Sequence, residues 1–206
     1  RFFSLIRSLH RFFLLVFLCC SVEGFSQKVA LKNNLAYDAL KTPNLSLELS
    51  IGRKWTLDTQ VGMNFFFYTQ DATSSHYRTK KISHWLVQPE LRYWTCDVFN
   101  GWFFGVHMHG GQMNVGGVNI PFVLQNGDGK MSKHRYEGYF LGGGLSAGYQ
   151  WIISSRFNME ASLGVGYIHA RYDKYKCTTC GKKLGMGSSD YIGPTKAAIS
   201  IIYLLK

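Results

Sequence analysis

The chain has 206 residues, 46% of them hydrophobic and 16% aromatic, with 22 glycines and a formal charge of +11. At that length a single domain is expected. Beyond the N-terminal segment no apolar run approaches the roughly 20 residues that a membrane-spanning helix requires, which excludes a helical span.

Residues 1–26 read as a cleavable export signal. Arg1, Arg7 and Arg11 supply the positive start, and residues 12–20, FFLLVFLCC, form an apolar run too short to cross a bilayer. Gly24 and Ser26 are small residues of the kind a signal peptidase selects, so cleavage is expected after Ser26, with Gln27 opening a single domain over residues 27–206. Cys19 and Cys20 follow Phe17 and Leu18 rather than a small residue, which argues against lipid attachment. Loss of Arg1, Arg7, Arg11 and Glu23 with the signal lowers the charge from +11 to +9. The remaining basic residues gather in turns and loops, as at Arg78, Lys80, Lys81, Lys130, Lys133, Lys182 and Lys183. An exported chain with that distribution does not suit nucleic acid. Outer-membrane lipids, anionic lipopolysaccharide and surface glycans are the expected partners.

From residue 29 onwards period two dominates. A weak alternation over residues 29–37 is followed by a clear one over 45–51, where Leu45, Leu47, Leu49 and Ile51 alternate with Ser46, Glu48 and Ser50. The pattern returns over residues 55–67, 85–93, 102–110, 139–151 and 157–167, and in weaker form over 195–205. The sequence thus predicts eight strands. Connections 52–54, 95–100 and 152–156 are short, whereas 38–44, 68–83, 112–134 and 173–190 are mostly much longer and carry charge, Gly and Ser. Short turns alternating with long loops are the habit of outer-membrane barrels. The expected fold is therefore all-β, an eight-stranded antiparallel up-and-down transmembrane β-barrel of the OmpA/OmpX-like kind. Aromatic residues fall in two bands: Trp55, Tyr93, Trp94, Trp102, Tyr149, Trp151, Phe157 and Tyr203 at the short-turn ends, and Phe65, Phe67, Trp85, Tyr139 and Tyr167 towards the long loops. Bilayer interfaces select such amphipathic rings. A barrel of eight strands has room inside only for side chains, so Glu48, Asp58, Glu90, Arg92, His107 and Glu160 are expected to meet there as a hydrogen-bonded plug. A soluble lipocalin-like barrel would turn the same faces the other way, but the polar faces carry Gly, Ser, Asn and His with few lysines, which suits a cramped interior.

The motifs that could carry chemistry have simpler readings. Cys177 and Cys180 form a CxxC; a local disulfide stiffening the last loop is preferred, with half of a zinc site or free thiols as alternatives. Cys96 is expected at the opposite end of the barrel and cannot complete a metal site with that pair. His107 and His109 share a face and resemble, distantly, the Ser-His pairs of barrels that deacylate lipid A, but no acid-His-Ser spacing marks a nucleophile. Residues 126–130, NGDGK, lack the ligand positions of a calcium loop and read as a turn. The Gly142-Gly143-Gly144 run lies inside a strand and reads as close packing. No cofactor, metal or catalytic residue is expected.

Four strings, LKNNLAYDAL with Thr42-Pro43-Asn44, HWLVQPELRYW at 84–94, YDKYKCTTCG at 172–181 and GPTKAAISIIY at 193–203, together span nearly the whole mature chain. In them the chain resembles a family of small, functionally uncharacterised outer-membrane barrel proteins of anaerobic Gram-negative gut and oral bacteria, some encoded beside fimbrial genes. The resemblance implies an outer-membrane location and no assigned activity. The expected role is non-enzymatic: display of basic loops in adhesion, association with fimbrial or other envelope proteins, or envelope structure. A lipid-A-modifying barrel enzyme and a narrow gated channel are the alternatives.

Overall fold

The computed structural model describes residues 28–65, 67–69, 79–116, 134–176 and 183–205. The expected signal, the 126–130 turn and the Cys177/Cys180 pair lie outside the described residues. Among the described residues nine strands form one antiparallel sheet: β1 (Val29–Asn34), β2 (Asn44–Ser50), β3 (Trp55–Asn64), β4 (Phe67–Thr69), β5 (Thr79–Trp94), β6 (Gly101–Gly116), β7 (His134–Ile152), β8 (Phe157–Lys176) and β9 (Lys183–Leu204). Eight of them close into a ring in the order β3-β2-β1-β9-β8-β7-β6-β5, and β4 adds a three-residue strip along β5. The ring shuts where β3 meets β5, from Trp55↔Tyr93 to Asn64↔His84, and where the first and last strands pair from Ala30↔Leu204 to Asn34↔Ser200. Every paired strand is antiparallel to its neighbour.

The alternation read from the sequence sorts cleanly onto the two faces. Outward go Leu45, Leu47, Leu57, Val61, Leu91, Phe104, Val106, Met108, Leu141, Leu145, Leu163 and Val165, all of them exposed. Inward go Lys32, Glu48, Asp58, Gln88, Glu90, Arg92, His107, Gln150 and Glu160, all of them buried. The sheet is therefore apolar outside and polar inside, the inverse of a soluble barrel.

The structure corrects the sequence reading in four places. Residues 35–37 do not continue β1: Asn34 accepts a hydrogen bond from the Ala36 amide (3.1 Å) and caps a short helix, α1 (Leu35–Ala39). The first strand therefore ends at Asn34, and the same side chain donates to the Ala197 carbonyl and accepts from the Ile199 amide, satisfying β9 groups that lose their ladder partner there. The alternation of 55–67 belongs to two strands, because β3 ends at Asn64 and Phe67 lies in β4. Trp94, expected in an aromatic band, points inward and is fully buried. Its parity on β5 is that of Arg92, whereas Tyr93 has the outward one.

The fourth correction concerns the loops, much of whose length is strand. β1, β2 and β3 have 6, 7 and 10 residues, whereas β7, β8 and β9 have 19, 20 and 22. The expected loop at 173–190 is mostly ladder, with Asp173↔Met186 and Ala170↔Ser189 in register. Neither face is uniformly apolar there, so hydropathy loses its period while the backbone keeps pairing. Lys183 and Asp173, 2.7 Å apart, tie the two strands together instead.

Candidate functional site: the filled interior and a polar row on the outer wall

The interior is stratified. At the short-turn end Trp94, Phe99, Phe103, Ala30 and Ile202 make an apolar stopper, with Trp94 and Phe103 ring centroids 4.9 Å apart. Its indole is not orphaned: Trp94 Nε1 donates to Thr56 Oγ1 at 2.9 Å. Arg92 lies over the Phe103 ring, 4.4 Å from the centroid, and joins the stopper to the ionic layer above it.

That layer contains four carboxylates, Glu48, Asp58, Glu90 and Glu160, and three cations, Lys32, Arg92 and Lys196. The Arg92 guanidinium reaches all four carboxylates, at 3.1 Å from Glu48, 2.7 Å from Asp58, 2.6 Å from Glu90 and 2.9 Å from Glu160. Lys32 Nζ lies 2.9 Å from Glu48, 3.3 Å from Asp58 and 2.7 Å from Glu160. Lys196 pairs with Glu90. Hydroxyls fill remaining acceptor positions: Thr56 donates to Glu48 (2.5 Å), Ser46 to Asp58 and Ser146 to Glu90. Gly105 makes this possible, since a Cβ there would fall 2.6 Å from both Glu90 Oε1 and Ser146 Oγ. One layer thus links β1, β2, β3, β5, β7, β8 and β9 across the ring.

Towards the long-loop end lie His107 and His109, stacked with centroids 5.6 Å apart. His107 Nε2 is 2.9 Å from Thr195 Oγ1, and its ring rests on the glycine surface of Gly164. A Cβ at Gly142 would fall 2.4 Å from His109 Nε2, so the glycines of β7 make room for the imidazoles. Among the described residues no group of three or more His, Cys, Asp or Glu is arranged to hold a metal.

The six residues read as an interior network, Glu48, Asp58, Glu90, Arg92, His107 and Glu160, thus all lie inside; five are joined in the ionic layer and His107 stands beside it. Lys32 and Lys196 were missed. They occupy inward positions of the two strands with the weakest alternation, and the weakness has this cause: a lysine inside an apolar stretch blurs the hydropathy signal. A cation in phase with the acidic residues of other strands was the readable sign.

Of the aromatic positions, Trp55, Trp85, Tyr93, Trp102, Tyr139, Trp151 and Tyr167 are exposed on the outer wall. Rings pack in pairs near the short turns, Trp55 with Tyr93 at 5.1 Å, Trp102 with Tyr149 at 5.2 Å and Phe157 with Tyr203 at 5.1 Å. Cys96 lies exposed in a short turn at this end.

A second polar group occupies the outer wall further along β7, β8 and β9. His169 and Asp190 are cross-strand partners, with Nδ1 and Oδ1 2.6 Å apart, and Tyr167 also donates to Asp190. Arg171 Nε donates to His169 Nε2 at 3.4 Å, and Arg171 Nη1 donates to the Tyr139 hydroxyl at 3.4 Å. Ser188 stands opposite Arg171. A Ser-His-Asp relay is not what this makes, because the imidazole nitrogen that a nucleophile would need is occupied by Arg171.

No curated protein matches the chain. The model of a family described as protein of unknown function (DUF3575) matches residues 11–205, nearly the whole length, and the chain belongs to that family.

Proposed function

We propose that the protein is a non-enzymatic outer-membrane β-barrel, exported through a cleaved signal over residues 1–26. In this reading it displays basic loops outside the cell in adhesion, fimbria-associated or envelope-structural work. The observation that carries the reading is the inversion of polarity around the closed ring, with seven acidic and basic side chains inside and an aliphatic belt outside. In water that belt would be an apolar patch far larger than soluble proteins tolerate; in lipid it is the expected surface. Exposed aromatic residues at both ends of the belt, Trp55, Trp102 and Trp151 at one and Trp85, Tyr139 and Tyr167 at the other, support interfacial anchoring. The filled interior favours a structural barrel over a channel, since the ionic layer is backed by the Trp94-Phe103 stopper. His107 and His109 face inward, away from lipid on the outer wall, which favours the non-enzymatic reading over acyl-chain chemistry at those residues.

Two measurements test this. The detergent-folded protein is expected to shift on a gel when boiled and to fractionate with the outer membrane; a periplasmic protein without a shift would overturn the reading. Removal of residues 117–133 and 177–182, which connect β6 to β7 and β8 to β9, is expected to abolish binding to envelope proteins or surface glycans while the heat shift persists. Unchanged binding would place recognition elsewhere.

A further inference from the structure

Between the belt and the strand ends, the outward residues of β7, β8 and β9 change character row by row. Leu145, Val165 and Pro194 form one cross-strand row; Gly143, Tyr167 and Ile192 the next; then Leu141, His169 and Asp190; then Tyr139, Arg171 and Ser188; then Glu137, Asp173 and Met186. Aliphatic rows thus give way to hydroxyls and charge within a few residues. A groove of about 470 Å³ opens at this boundary, lined among others by Glu137, Tyr139, Arg171, Asp173, Met186 and Ser188.

Arg171 stands out by what surrounds it. Each acidic residue nearby is engaged by another partner: Glu137 by Arg135 at 2.6 Å, Asp173 by Lys183 at 2.7 Å, and Asp190 by His169 and Tyr167. Among the described residues Arg171 has no carboxylate partner, and its two hydrogen bonds, both 3.4 Å, go to the His169 ring and the Tyr139 hydroxyl. Those bonds use Nε and one Nη1 hydrogen, leaving Nη2 without a protein acceptor among the described residues. The guanidinium is therefore oriented but not neutralised, and hydroxyls of Tyr139 and Ser188 flank it in the same row.

We infer that this row is a binding site for the phosphate of a phosphorylated lipid headgroup, with the acyl chains lying along the Leu141, Leu145 and Val165 wall. A planar guanidinium offers a phosphate two parallel donors, and neutral hydroxyls add donors without competing charge. The aliphatic rows beneath select an amphiphile over a free anion. The inference rests on the outer-membrane reading and makes it specific, by naming where an outer-leaflet lipid is held.

The test uses the full protein folded in detergent, with heat shift and outer-membrane fractionation recorded for every variant. Lipid retention is measured by native mass spectrometry, with three probes in competition: bis-phosphorylated lipid A, the same lipid stripped of phosphate, and inorganic phosphate. The phosphorylated lipid is expected to bind about tenfold or more tightly than the stripped one, and Arg171→Gln to remove that preference. Tyr139→Phe, which frees the guanidinium from one of its two supports, should weaken binding by a smaller factor, and Lys54→Ala at the opposite end should leave it unchanged. Equal binding by Arg171→Gln and wild type, or by stripped and phosphorylated lipid, would overturn the site. Displacement by inorganic phosphate at matching concentration would make it a soluble-anion site and overturn the lipid. If variants insert normally and lipid preference does not depend on Arg171, the site alone falls; if the wild type neither shifts nor fractionates with the outer membrane, the site falls with the membrane reading.

Discussion

Two clusters in this molecule set a nitrogen donor against a carboxylate at nearly the same distance. Arg92 lies 2.7 Å from Asp58 inside the ring, and His169 lies 2.6 Å from Asp190 on its outer wall. The first pair has side chains 1% and 5% exposed, the second 36% and 60%. Distance alone says little about what either is worth. Inside, every charge has been stripped of water and depends on its partners, so losing one leaves others stranded in a medium that cannot solvate them. Outside, at the polar edge of the apolar belt, solvent and lipid headgroups can replace a lost partner, and the pair orders side chains more than it holds the fold.

The largest effect should follow from Arg92→Met, which removes the cation shared by four carboxylates. Cavity filling by Met is similar, but the uncompensated charge should cost about 3–5 kcal/mol, enough to prevent a heat-shifted band or to lower sharply the urea concentration at which the folded band is lost. A variant as stable as wild type would mean that the ionic layer is not a structural unit. Lys196→Met should cost less, about 2 kcal/mol in the same assay, because Glu90 retains Arg92 at 2.6 Å and the Ser146 hydroxyl. A larger loss than for Arg92→Met would reverse the ranking of the two cations.

The smallest effect should come from Asp190→Asn, which is expected to leave the unfolding midpoint unchanged and to loosen only the local pairing of β8 with β9. The hydrogen bonds that Asp190 accepts from His169 and Tyr167 are the contacts this substitution weakens. Amide-exchange protection around His169 and Asp190 should therefore be lower in Asp190→Asn than in wild type; unchanged protection would show that backbone pairing alone holds this part of the two strands.

Legibility in the sequence followed the strength of the alternation. Strands whose two faces contrast, such as the one carrying Leu45, Leu47 and Leu49 against Ser46 and Glu48, could be located and assigned an inward face, and the inward faces brought Glu48, Asp58, Glu90, Arg92 and Glu160 together. Lys32 and Lys196 escaped because they weaken the very contrast used to find strands. Trp94 escaped because residue type outweighed parity, although its position two residues after Arg92 already pointed inward. The long upper ladders of β8 and β9 escaped because their pairing is carried by backbone groups and isolated ion pairs such as Lys183-Asp173, which leave no hydropathy period.

By itself the sequence determined the all-β class, the strand count of the ring and which residues share a face, because period-two patterning is a local property of an extended chain. Which charges meet was decided only by closure. Lys32 and Glu160 are 128 positions apart, and Lys196 and Glu90 are 106 apart. Such contacts depend on register and on pairing of the first strand with the last, which no local pattern encodes. The outer-wall row is of the same kind: Tyr139, Arg171 and Ser188 come from three strands, and only their cross-strand register sets a guanidinium between two hydroxyls at the edge of an apolar wall.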